Sequence, residues 1–215
     1  MKATLVAACL WSATLVGGAE EAGPRHLLYL HGRIIQDQQN ARPRHPEFGY
    51  YELEQILATF RERGFVVTGE IRPKDAPLMV SADRVVEQIR SLLASGVPAS
   101  RITIVGGSMG AAIALRASLR LQNPALRYGV LGSCMSQSVP LLLAEYGAKP
   151  AGRILAIREK SDETSEPCPA WSGDTDPNAP LVVREILLDT GLRHGFLYRP
   201  LREWVEPVVD WAAAR

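Results

Sequence analysis

A serine stands among glycines in Gly106-Gly107-Ser108-Met109-Gly110, straight after the β-branched run Ile102-Thr103-Ile104-Val105 and straight before an alanine-rich stretch. A serine hydroxyl is a weak nucleophile until an adjacent base takes its proton. A sharp strand-to-helix turn can raise it into a cleft, provided that the residues two places before and after it have no side chains to collide with strand and helix. Gly106 and Gly110 occupy those places. Glycines that only let a helix pack closely on a strand would look the same, so the chain must also supply a base. Two competing loops fit worse. A dinucleotide loop needs glycine at its third position, where Ser108 stands, and follows the first strand of its domain. A phosphate-cradling loop needs a Lys-Ser/Thr pair, which does not follow here.

The histidines are His26, His31, His45 and His194. Only His194 lies in a loop directly after the last strand-like run, in "DTGLRHGFLY". In a parallel sheet that loop opens at the same edge as Ser108, and Gly195 gives it freedom to turn the imidazole inward. The imidazole needs a carboxylate to hold its tautomer and stabilise its charged form. "REKSDETSE", after the preceding strand, offers Asp162, with Glu163 as the next choice and Glu159 and Glu166 less suited. The order is then Ser108, Asp162, His194. An oxyanion developing on an acyl group needs two preorganised donors. The Met109 N–H, just after the serine, is one. The Arg33 N–H in His31-Gly32-Arg33, after the first strand, is the other, with Gly32 letting the backbone come close and His31 bonding the loop rather than acting as base.

These residues need a scaffold that brings distant loops together. Apolar runs of strand length, "HLLYL", "FVVTGEI", "RITIV", "YGVLGS", "RILAI" and "REILLD", alternate with amphipathic stretches. The stretches around Leu53–Phe60 (stopped by Gly64), Ser81–Ala94 and Met109–Leu121 have helical spacing. A polar loop is expected from Gly32 to about Pro46. The tail "PLREWVEPVVDWAAA" reads as a last helix that Pro207 should kink or divide. Strands that are apolar on both faces, alternating with helices, imply an α/β fold: a mostly parallel sheet of about six strands with helices on both faces, a three-layer sandwich. Ligands of such sheets sit beyond the carboxyl ends of the strands. Every candidate above leaves such an end.

The set "YLHGR", "VGGSMG", "EKSDE" and "GLRHGF" resembles the α/β-hydrolase superfamily, over most of the chain from about His26 onward. It departs from the usual pattern by lacking the first two of eight strands and any long insertion after the fourth strand, where many members carry a lid. It is most similar to the small, lidless, exported bacterial members. The resemblance implies acyl hydrolysis through Ser108, Asp162 and His194, without metal or organic cofactor, and leaves the substrate open. A carboxylesterase on small or soluble esters is the expected activity. An amide or peptide hydrolase, or a binding protein that keeps the fold, are the alternatives. Arg33, Arg42, Arg44, His45, Arg72 and Lys74 lie in the loops after the first two strands and would form a basic rim for a carboxylate or phosphate on the substrate. Asp37 and Asp75 partly balance them, so a merely solvated rim is the other reading.

The chain has 215 residues, 47% hydrophobic and 22% charged, as expected of one ordinary domain with a real core. Residues 1–19 open with Lys2, continue apolar to Val16 and end in Gly17 and Ala19, the pattern of a cleaved export signal. The remainder, 20–215, is then a single domain, periplasmic or secreted, with no stable membrane anchor after processing. A retained strand or anchor is the alternative, although the stretch falls short of the about 20 residues that a span takes. The formal charge of +1 gives no reason to expect nucleic acid as a partner. Oligomeric state is not legible. Cys134 and Cys168 remain after processing and form either one disulfide or two unpaired thiols.

Overall fold

The computed structural model describes residues 23–134, 139–168 and 179–214. The proposed export signal lies outside them. The main sheet is made of β1 (Arg25–Leu30), β4 (Phe65–Thr68), β5 (Ile102–Gly107), β6 (Arg127–Leu131), β7 (Gly152–Glu159) and β8 (Leu181–Leu188). Their order is β4-β1-β5-β6-β7-β8, and every neighbouring pair is parallel. Parallel pairing requires each chain segment to cross back over the sheet, so all carboxyl ends share one edge. Central β5 is buried along its whole length, as a strand covered on both faces must be.

One face is covered by α2 (Leu53–Glu62) and α6 (Arg202–Ala213), which bring Ile56, Phe60, Trp204 and Val208 onto the sheet. The other is covered by α3 (Leu78–Ala94) and α4 (Met109–Leu121), through Val85, Ile89, Ala111 and Ile113. The three-layer arrangement follows from those apolar stripes. Full burial of a side chain such as Trp204 or Phe60 stabilises the fold by about 1.5–3 kcal/mol each.

Several local expectations change. The polar loop after β1 contains helix α1 (Arg33–Gln38) and a small hairpin of β2 (Arg44–His45) and β3 (Gly49–Tyr50). The second strand stops at Thr68, and α3 starts three residues earlier than its apolar spacing suggests. A further helix, α5 (Val139–Tyr146), lies between β6 and β7; no lid accompanies it among the described residues. Pro207 does not divide α6, which runs continuously past it. The apolar stripe on either side of Pro207, with Trp204 and Val208 both buried, keeps the helix on the sheet despite the lost amide.

Candidate active site

Ser108 sits between β5 and α4 with φ 54° and ψ −116°, a left-handed conformation that a side chain rarely adopts. The two flanking glycines explain how it is held. A Cβ on Gly106 would lie 2.2 Å from the Gly110 carbonyl oxygen, and one on Gly110 would lie 1.9 Å from the Leu30 carbonyl oxygen. Strand, turn and helix are therefore packed backbone to backbone, and only glycine fits. The Ser108 N–H donates to the Leu131 carbonyl at 2.9 Å, which ties the turn to the end of β6.

His194 lies after β8 in a short 3₁₀ segment, next to Arg193, whose φ of 51° is also left-handed. Its Nδ1 is 2.6 Å from Asp162 Oδ2. A carboxylate there keeps the proton on Nδ1 and leaves Nε2 as the basic nitrogen. A Cβ on Gly132 would be 3.4 Å from His194 Cε1, so the imidazole rests against the residue that follows Leu131. Serine and histidine thus approach the same end of β6. Gly195 has an ordinary backbone; the reason for glycine there is space, since its Cβ would stand 3.1 Å from Phe48.

Asp162 is buried. Its Oδ1 accepts the Thr164 N–H at 3.0 Å and the Thr164 hydroxyl at 2.7 Å. Burial pushes its pKa up, but the bonds from His194 and Thr164 together outweigh that and hold the carboxyl below the usual range. Glu163, the second choice for the acid, lies beside it on the cavity wall, while His194 bonds Asp162. A second carboxylate, Glu159, is almost wholly buried. It accepts the N–H and hydroxyl of both Ser161 and Thr190 and the N–H of Gly191, stapling the Asp162 loop to the His194 loop. Burial raises its pKa, and the donors from Thr190 and Ser161 more than reverse this. Cys134 and Cys168 are joined in a disulfide, with Cα atoms 4.9 Å apart, which ties the loop that carries Asp162 to the segment just after β6.

A cavity of about 670 Å³ opens at this edge, lined by Ser108, Met109, Asp162, His194, Arg33 and Phe48 among others. Gly32 faces the serine: a Cβ on it would lie 3.8 Å from Ser108 Cβ. Arg33 and Met109 are each the first residue of a helix, where backbone N–H groups have no partner within the helix. Of the expected basic rim, Arg33 lines the cavity, and Arg42, Arg44, His45 and Arg72 are engaged elsewhere. Arg42 pairs with Glu52 and covers Tyr50, Arg44 points to solvent, and His45 stacks on Phe48 with Nδ1 accepting the Glu47 and Phe48 N–H groups. Arg72 is buried, drawn inward by oxygens of His31, Gly32 and Gln36. The cations on the cavity wall are Arg33 and Arg193, the latter bound to Glu47. Among the described residues, no three His, Cys, Asp or Glu side chains cluster to hold a metal, and no helix is long and apolar enough to cross a membrane.

Residues 67–141 match the phospholipase/carboxylesterase family; this stretch contains Ser108 and ends before Asp162 and His194. Among solved structures, an S-formylglutathione hydrolase from Agrobacterium tumefaciens aligns with TM-score 0.51 and 16% identity, over 88% of this chain and 85% of that one. A phospholipase/carboxylesterase from Dyadobacter fermentans aligns with TM-score 0.51 and 14% identity, over 88% and 90%. Est1E from Butyrivibrio proteoclasticus, with ferulic acid bound, aligns with TM-score 0.51 and 12% identity, over 91% and 89%. The chain has the α/β-hydrolase fold. No curated protein matches it in sequence.

Proposed function

We propose that the chain is a serine carboxylesterase acting on small or soluble esters. The observation that carries this reading is the Asp162–His194 pair, 2.6 Å apart, on the wall of the cavity that also receives Ser108. In this reading His194 Nε2 takes the Ser108 proton as Oγ bonds to the acyl carbon. The Met109 and Arg33 N–H groups hold the resulting oxyanion. The carbon–oxygen bond to the alcohol then breaks, and His194 returns its proton to the leaving alkoxide. Water repeats the sequence on the acyl-enzyme, releasing the acid and restoring Ser108. Asp162 stays ionised throughout and orients the ring.

Absence of a lid among the described residues favours short or soluble acyl groups over long lipid chains. The test is labelling with a fluorophosphonate probe, followed by an ester chain-length series. Labelling that disappears in Ser108→Ala, with hydrolysis falling off at long chains, is the expected result; a wild-type protein that takes no label overturns the reading. We also propose that residues 1–19 direct export. A disulfide beside the site fits an oxidising compartment. Mass analysis of the mature protein should find Glu20 at its start.

A further inference from the structure

Arg72 leaves the end of β4 and is 8% exposed. Its Nε donates to Gln36 Oε1 at 3.0 Å, and its Nη2 to the His31 carbonyl at 2.7 Å and the Gly32 carbonyl at 3.5 Å. Nη1 is buried with no hydrogen-bond partner among the described residues. No carboxylate forms an ion pair with it there either. Burial, partly offset by Tyr51, brings its pKa down to about 10, so it is a cation at neutral pH. A buried cation without a counter-ion is costly.

Its location explains what the charge can do. The Gly32 carbonyl and the Arg33 N–H are two ends of one peptide group. That carbonyl also accepts His31 Nδ1–H at 2.8 Å, while His31 Nε2 accepts the Arg72 N–H at 3.1 Å. Burial and the Arg72 charge hold the His31 pKa down to about 4, so the ring stays neutral, with its proton on Nδ1. Donors on a carbonyl draw electron density toward its oxygen and make the N–H of the same peptide a stronger donor. We propose that Arg72 is a positioning residue for the oxyanion: its buried charge fixes the turn through the His31 carbonyl and, through the Gly32 carbonyl, strengthens the Arg33 N–H. This inference rests on the serine-esterase reading.

The test compares Arg72→Gln, which keeps a donor and loses the charge, with Arg72→Lys, which keeps the charge. Fluorophosphonate titration to completion first counts intact sites. Then kcat, KM and the affinity of a trifluoromethyl ketone, which forms a tetrahedral oxyanion on serine, are measured per site. Outright removal of an oxyanion donor costs about 10²–10³ in kcat, so Arg72, acting at one remove, should account for about tenfold. Arg72→Gln should lose that in kcat and in ketone affinity alike, with KM little changed, and Arg72→Lys should keep most of both. Wild-type kcat in Arg72→Gln, a loss confined to KM, or equal losses in the two variants overturns the inference. If Arg72→Gln does not fold, the pH profile of Arg72→Lys decides. A buried lysine titrates below its usual range, so its kcat should fall at an alkaline pH where the wild type is still active; matching profiles overturn the inference. Tyr29, Tyr51, His31 and Arg33, the other titratable groups around the position, are common to both proteins. A wild type that is not labelled at Ser108 removes the underlying reading instead.

Discussion

The two sides of the site are held by different forces. On the side of β1 and β5, the serine turn is locked by exclusion: Gly106 and Gly110 leave no space for even a Cβ between strand and helix. On the side of β7 and β8, the loops are longer and lie together through polar bonds. Thr164 holds Asp162, Glu159 bridges Ser161 to Thr190 and Gly191, and a disulfide ties Cys168 to the segment after β6. Steric locking tolerates no change in size. Polar locking tolerates changes in size but depends on charge, proton and redox state. Perturbing each side in its own terms should therefore produce different kinds of failure.

The largest effect is expected for Asp162→Asn. The amide can turn its NH₂ toward His194 Nδ1, favouring the tautomer with the proton on Nε2, where the base must be free. In a comparable triad this lowers kcat about 10⁴-fold with the geometry intact. We expect a loss of that order here, with a thermal midpoint near that of the wild type. A fall in activity matched by unfolding would mean that the acid side is locked sterically as well, and the contrast between the two sides would disappear.

Gly110→Ala probes the other side. Its Cβ would meet the Leu30 carbonyl, which is backbone and cannot rotate away, so a loss of about 3 kcal/mol or more is expected. Gly195→Ala is the matched control on the polar side. Its Cβ would meet Phe48, on the β2–β3 hairpin, at 3.1 Å, which a shift of a few tenths of an ångström relieves, and about 1 kcal/mol should cover the cost. Urea unfolding of both variants ranks them; equal losses would refute the distinction between backbone and side-chain contact.

The same contrast decides how much could be read from the sequence. Steric locking leaves a local pattern, and the glycines around Ser108 carry it within five residues. The sheet was legible because strands buried on both faces are continuously apolar. Asp162 and His194 were legible as loop residues after successive strands, because a parallel sheet places such loops at one edge. Glu159 was not legible as a brace, since Thr190 and Gly191 lie about 30 residues away and no local pattern marks them, and Thr164 was not, since its hydroxyl meets both Asp162 and His194 only once the two loops are brought together. Arg72 was misread for the same reason. A cation in an exit loop looks solvated until the His31 and Gly32 carbonyls are seen to draw it in. The Cys134–Cys168 pairing stayed open because sequence carries no Cα separation.

Removing the disulfide tests the polar side without touching a charge. It closes a separation of 34 residues, and such a link stabilises a chain by about 2–4 kcal/mol, mainly by restricting the unfolded state. Cys134→Ser combined with Cys168→Ser should therefore lower the unfolding midpoint in urea by a corresponding amount. Asp162 and His194 keep their own bond, so kcat should fall far less than in Asp162→Asn. A loss of kcat as large as that of Asp162→Asn would show that the link, rather than Thr164 and Glu159, positions the acid.

The smallest effect, and the one that most sharply separates charge from size, concerns Glu159. Its folded pKa lies below its ordinary value, so between the two the unfolded chain binds more protons and stability rises with pH. Its contribution is complete above the unfolded value of about 4.3 and fades as pH falls through the lower folded value. Glu159→Gln matches it in size and carries no charge. The stability gap between wild type and Glu159→Gln should be widest at neutral pH and should close on acidification. Asp162 shifts in the same direction but is present in both proteins, so it cancels from the difference. Urea unfolding between about pH 3 and pH 7 measures this. A gap that stays constant over that range would mean that Glu159 acts by shape, as the glycines do, and that the two sides of the site are held by one kind of force after all.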